Sequence, residues 1–253
     1  MRTKTIAILA TTITLFSFIF PNKSKNYVPP GTVEIASNTF MDETEITNIS
    51  WREYMYWTER IYGKTSEQYI ATIPDSNVWN NEFKAHYLSH SAYQNYPVVG
   101  ISWKQATAFC EWRSERVMEQ VTIHKEMKPN KNYPTKVTYR LPSSEEWERI
   151  ANASYSEKTE KKLQTKYAGA STANFHSPSP DVANTTSPVY QYWPNKYGTY
   201  NMLGNVAEMT NQEGIAKGGS WMQSKEDVSV NKNFTYKRPT NWVGFRCICE
   251  VVF

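Results

Sequence analysis

The chain has 253 residues, 40% of them hydrophobic and 21% charged, with a formal net charge of +4 and three cysteines. That balance excludes a disordered or fibrous polymer, and the length suits one large domain or two small ones. Thirteen Pro, ten Gly, nine Trp, seventeen Tyr and ten Phe describe a loop-rich globular body rather than a bundle of amphipathic helices.

Arg2 and Lys4 precede Thr5–Phe20, a run without a charge that Pro21, Asn22 and Lys23 close. This layout is expected of a secretory signal over residues 1–24, because the run is shorter than the roughly 20 residues of a membrane span; the lack of an obvious small-x-small cleavage site keeps an uncleaved N-terminal anchor as the alternative. The expected location is therefore the periplasm or cell envelope. A lipid-anchored lipoprotein is not expected, because no cysteine precedes Cys110. With Arg2 and Lys4 set aside, 26 basic residues face 24 acidic ones, and no nucleic-acid partner is expected. Lys158, Lys161, Lys162 and Lys166, interrupted by Glu160, read as a solvated face. Export permits a disulfide, and since Cys247 and Cys249 are too close to pair comfortably, Cys110 is expected to bridge to one or the other.

Residues 25–253 read as a single domain without repeat or linker. Thr32–Phe40 alternates weakly as a strand. A capping box of Ser50 with Glu53 opens a helix whose face carries Trp51, Tyr54, Met55, Thr58 and Ile61, and Gly63 ends it. Lys64–Tyr96 is a long excursion with at most short helices. In it, His86 and His90 sit four apart, which on a helix would let both imidazoles face one metal. No third ligand is supplied locally, so surface or structural histidines are the plainer reading. Val98–Ile101 reads as a short strand. A second capping box, Ser102 with Gln105, begins a helix with Ala106, Phe109, Cys110 and Val117 inward, and Glu119–Thr138 reads as a polar insertion. A third box, Ser143 with Glu146, begins a helix carrying Trp147, Ile150 and Ala151. Beyond Tyr167, closely spaced Pro, Asn, Ser and Gly predict a loop-dominated half.

Five strings occur in order: YPVVGISWKQATAFCEW from Tyr96, YRLPSSEEWERIA from Tyr139, YGTYNMLGNVAEM from Tyr197, AKGGSW from Ala216 and VGFRC from Val243. Together they resemble the formylglycine-generating enzyme (sulfatase-modifying factor) family over about Gly31–Phe253. GNVAEM, MDETEITN from Met41 and the insertion after Val117 look more like the gliding-motility and secretion proteins K and J of Bacteroidota. The resemblance implies an α+β, C-type-lectin-like fold with little regular secondary structure. It also implies a Cys110–Cys247 bridge, which leaves Cys249 free; the alternatives for this lone thiol are a reactive group and, because Ile248 and Val251 flank it in a C-terminal strand, a buried, inert one, which is the expectation. In the enzymes of the family two cysteines after GGS hold copper(I), which two soft thiolates suit. Here Gln223 and Val228 stand at those places, and Ala207 replaces the Trp before Glu, so no copper is expected. Two calcium sites are implied: Asn201 and Glu208 through side chains with the carbonyls of Gly204 and Val206, and Asn174 and Asp181 through side chains with the carbonyls of Phe175 and Ala183. Such oxygen donors suit Ca²⁺; the alternative is that both are only turns.

Three functions follow for testing. The first is an exported, non-catalytic binding or scaffold protein, a pseudoenzyme with an envelope or extracellular protein partner and a place in a gliding or secretion assembly. The second is an oxidase or oxygenase with a displaced metal centre, for example from His86, His90 and a carboxylate. The third is a carbohydrate-binding module, against which stands the lack of the EPN, QPD and WND strings of true lectins; only Asn241 and Trp242 are adjacent.

Overall fold

The computed structural model describes residues 27–80, 82–129, 132–179 and 184–253. The apolar N-terminal segment, Asp181 and Ala183 lie outside them.

The predicted first strand is a hairpin. β1 (Thr32–Ala36) turns at Asn38, whose φ of 56° is the left-handed geometry that Asn tolerates, into β2 (Thr39–Asp42). α1 (Asn48–Tyr62) follows, and its N-cap is Thr47 rather than Ser50. Thr47 is extended and its Oγ1 accepts from Ser50 N at 3.2 Å, so the expected capping residue lies inside the first turn. Gly63 ends the helix at a φ of 91° as expected. Trp51, Tyr54 and Thr58 are buried, whereas Ile61 in the last turn is exposed. The excursion after it holds α2 (Glu67–Ile70) and α3 (Phe83–His86).

Val98–Ile101 is no strand. It crosses between two loops, with Val98 N on Ile46 O and Gly100 N on Thr240 O, and Gly100 is held left-handed where a Cβ would meet Asp75 O at 2.6 Å. α4 (Trp103–Met127) opens with the expected Ser102–Gln105 box but does not stop at Val117. No Gly or Pro interrupts residues 118–127, Arg116 pairs with Glu119 one turn on, and Val121 is buried. The first part of the expected insertion, Glu119–Met127, thus continues the helix, and its last residues, Lys136–Thr138, already belong to the next strand. After β3 (Lys136–Arg140), α5 (Ser144–Ala151) carries the complete Ser143–Glu146 box, and α6 (Glu157–Gln164) exposes its lysines.

The second half is mainly loop, with four strands of two or three residues: β4 (Ala207–Met209), β5 (Ile215–Lys217), β6 (Phe234–Thr235) and β7 (Val243–Gly244). They form a sheet ordered β6-β5-β4-β7, parallel only between β4 and β7. The last strand, β8 (Ile248–Val252), enters the other sheet, an antiparallel β1-β2-β8-β3. The C-terminus is therefore central, with Cys249 opposite both Phe40 and Tyr139.

One apolar cluster joins the two sheets to α1 and α4. Trp51 stacks on Phe109 at 5.5 Å and 12°, and Phe245 meets both edge-on. The indole N–H of Trp51 is not stranded: it donates to Thr72 O at 3.0 Å. This packing sets α4 and the segment before β8 side by side, and the site lies at that junction.

Candidate functional site

Three chain segments meet to form one buried charge cluster: the loop from β2 to α1 with Glu45, β4 with Glu208, and the segment before β8 with Arg246. All three side chains are buried. Arg246 Nη2 donates to Glu208 Oε1 and its Nε to Oε2, both at 2.6 Å, and Trp147 Nε1 adds a bond to Oε2 at 2.7 Å. The rest of the guanidinium donates to the carbonyls of Asp42, Glu43 and Tyr200. A buried arginine is stable only when so fully paired. Glu45 has amides instead of a cation in contact: Asn205 Nδ2 donates at 2.8 Å and Asn201 Nδ2 at 3.2 Å. Burial lifts the Glu45 pKa to about 7; Arg246 opposes the rise and Glu208 adds to it.

The first expected calcium loop is wound against this cluster. Asn201, Gly204, Val206 and Glu208 are all buried, and Asn201, Gly204 and Asn205 adopt φ of 49°, 78° and 59°. A Cβ at Gly204 would lie 2.6 Å from Asn174 O, and Asn205 N donates to that same carbonyl at 2.8 Å. The two expected calcium loops are thereby stitched together. Among the described residues Asn201 Oδ1 is buried without a hydrogen-bond partner, and Glu208 Oε1 receives a single hydrogen bond. Both oxygens retain lone pairs, so this donor set fits a hard cation. In the second loop Asn174 Nδ2 donates to Thr185 O and Phe175 lines a pocket, while Asp181 and Ala183 are outside the described residues.

The positions expected for copper thiolates carry structural roles. Gln223 Oε1 accepts from Ser220 N and Ser220 Oγ, each at 2.8 Å, and Gln223 O accepts from His176 N. Val228 packs over Gly219, where a Cβ would come within 2.5 Å of Val228 Cγ2. Ala207 is fully buried in β4, opposite Val243. An amide and an isopropyl group supply neither the charge nor the softness that copper(I) needs, so the residues present do not fit that metal.

Cys110 of α4 and Cys247 are buried with their sulfurs 3.4 Å apart. The backbone of Cys247 is fixed by its N–H on Asp42 Oδ2 at 2.8 Å, and Asp42 is paired with Arg113. Cys249 is also buried, and burial above all pushes its thiol up to about 12. It therefore stays protonated at neutral pH and is a poor nucleophile.

His86 and His90 come within 6.2 Å of one another, ring centre to ring centre, and border a shallow pocket with Glu82. His90 Nδ1 is committed to the N–H of Ala92. Among the described residues no group of three or more His, Cys, Asp or Glu side chains is placed to hold a metal.

Sequence reasoning singled out Glu208 but missed its surroundings, Glu45, Asn205, Arg246 and Trp147. A usable signal existed for Arg246, the single charge in the apolar string VGFRC, where a charge needs a buried partner; Glu45 follows Asp42 and Glu43 in MDETEITN and does not stand out.

The chain is 26% identical over 192 residues to the formylglycine-generating enzyme of Mus musculus, covering 62% of this chain and 45% of that protein. It is 26% identical over 175 residues to the inactive C-alpha-formylglycine-generating enzyme 2 of Bos taurus, covering 60% and 50%. Chaperone protein LppX of Paenibacillus barcinonensis is 30% identical over 179 residues, covering 53% and 62%. The chain thus spans about half the length of the first two curated relatives. Among solved structures, CarF superposes with a TM-score of 0.55 at 20% identity, covering 85% of this chain and 87% of that one. Treponema denticola variable protein 1 gives 0.52 at 19%, covering 88% and 92%. These two share the fold. The family model for the sulfatase-modifying factor enzyme 1-like domain matches residues 3–251, and the chain belongs to that family.

Proposed function

We propose that this protein is an exported, non-catalytic member of the family that uses its rigid α+β frame to bind a protein partner in the cell envelope. The observation that carries the reading is the pair Gln223 and Val228: both places that would hold copper are occupied, and both side chains are engaged in holding the loop. Two relatives lend support by their names, one an inactive member and one a chaperone. Export rests on Arg2, Lys4 and the apolar Thr5–Phe20. Membership of a gliding or secretion assembly rests on the motif style of GNVAEM, and affinity isolation from the native envelope tests it. Calcium at Asn201, Gly204, Val206 and Glu208, and a Cys110–Cys247 bridge, belong to the same proposal as supports of the frame. A copper(I) competition titration tests the reading at its root. Wild type should take no copper from a chelator, whereas the double variant Gln223→Cys, Val228→Cys should gain it; stoichiometric uptake by wild type would contradict the proposal.

A further inference from the structure

A pocket of about 480 Å³ is walled by the first turns of α1, by α4 and by the loop between β2 and α1. None of the calcium or copper positions lines it. Ile46, Phe109, Trp112 and Val117 give it an apolar surface, and five charged side chains share the wall. Three of them are already spent. Asp42 and Arg113 hold one another at 2.8 Å, and Arg113 Nη2 also donates to Pro30 O at 3.0 Å. Glu45 is buried and accepts from Asn201 and Asn205. Glu53, on α1, is exposed and has no ion-pair partner among the described residues. Arg116, on α4, is tied to Glu119 one turn on at 2.6 Å, with the two side chains 31% and 51% exposed. Such a surface pair holds a guanidinium weakly, and the group has five N–H donors to offer. Glu53 and Arg116 line one pocket without pairing, so it presents a free carboxylate from one helix and an available guanidinium from the other beside an apolar surface.

We propose that this pocket binds a small zwitterion with an apolar side chain, a free amino acid or a dipeptide, whose ammonium pairs with Glu53 and whose carboxylate pairs with Arg116. The planar fork of a guanidinium matches a carboxylate. An ion of a single sign would leave one of the two wall groups without a partner, whereas a molecule carrying both signs satisfies both. The volume is roughly three times that of the engineered cavity of about 150 Å³ that admits benzene, which leaves room for about twelve to eighteen heavy atoms. Apolar walls with a few accessible polar groups are the usual construction of a small-molecule site, where the walls give affinity and the polar groups orientation. The pocket shares no residue with the copper positions, so the inference does not depend on the loss of copper chemistry.

The test is a calorimetric titration of the full chain with L-phenylalanine and with L-leucyl-L-leucine, whose two charges lie farther apart. Wild type should bind at least one of the two saturably, and the tighter one reports the span between the two wall groups. The N-acetyl and C-terminal amide derivatives of that ligand each lack one charge, and each should bind at least about tenfold more weakly, the size of a charged hydrogen bond. Glu53→Gln should bind the zwitterion about as weakly as wild type binds the acetylated form and should no longer distinguish the two. Arg116→Gln should do the same for the amide. Both side chains reach solvent, and melting curves establish that each variant is folded; if one is not, the other variant and the derivatives on wild type decide. Absence of saturable binding of either ligand by wild type, derivatives that bind as tightly as the zwitterion, or full discrimination by folded Glu53→Gln or Arg116→Gln would each overturn the proposal.

Discussion

Arg246 and Glu208 form a bidentate ion pair with both bonds at 2.6 Å in the interior, their side chains 0% and 1% exposed. It joins the two sheets electrostatically, because Glu208 belongs to β4 and Arg246 leads into β8. Replacing only Arg246 leaves the Glu208 carboxylate buried and uncompensated. Arg246→Leu should therefore cost about 3–5 kcal/mol in chemical denaturation, and Glu208→Leu a similar amount. A loss below about 1 kcal/mol for both would show that the pair is not buried as described.

Glu45 makes stability depend on pH. Its folded pKa of about 7 lies above the ordinary 4.5, with burial as the largest cause, so the folded state holds a proton that the unfolded chain releases. The stabilising contribution is complete below about pH 4.5 and is lost as pH rises to about 7. The melting temperature of wild type should accordingly fall relative to that of Glu45→Gln across this window, whatever the constant offset between them. Parallel curves would refute the assignment.

The capping boxes at Ser102 and Ser143 and the inward face of Cys110 were legible because they depend on neighbours three or four residues away. The cap at Thr47 was misplaced by three residues, since Thr and Ser compete for the same role and only the backbone conformation decides between them. The site itself was half legible. Glu208 stood out in its motif, but Arg246 is 38 residues away and Glu45 lies 160 residues from Asn205, distances at which periodicity carries no information. The apparent insertion after Val117 failed for a different reason: a solvated helix has few apolar residues, and its polar surface reads like a loop.

The sulfurs of Cys110 and Cys247 are close enough that oxidation needs only a small approach, and the 137-residue separation gives about 5 kcal/mol in the chain-entropy model. Peptide mapping without reduction should recover these two segments joined and Cys249 unmodified. A Cys110–Cys249 product, or three free thiols in protein from an oxidising compartment, would reject the pairing.

Calcium should stabilise the fold, by about 2.7 kcal/mol at a hundredfold excess over Kd. Glu208→Ala is a poor probe, because it also strips Arg246 of its partner. Asn201→Gly removes the orphaned Oδ1 and tolerates the φ of 49°; it also loses the Nδ2 bonds to Glu45 and Val189 O, a constant offset in stability that is separate from the response to chelation. Chelation should lower the melting temperature of wild type and leave that of Asn201→Gly unchanged. An identical response in both would remove Asn201 from the calcium loop.

The central claim is that the frame survives in this chain without the family's copper chemistry. Its most direct test is to incubate the purified protein with copper(I), oxygen and a cysteine peptide of the sulfatase type and to weigh the peptide. With Gln223 and Val228 in the metal positions, the account predicts an unchanged mass. Conversion of the cysteine to the formylglycine aldehyde above a no-protein control would contradict it.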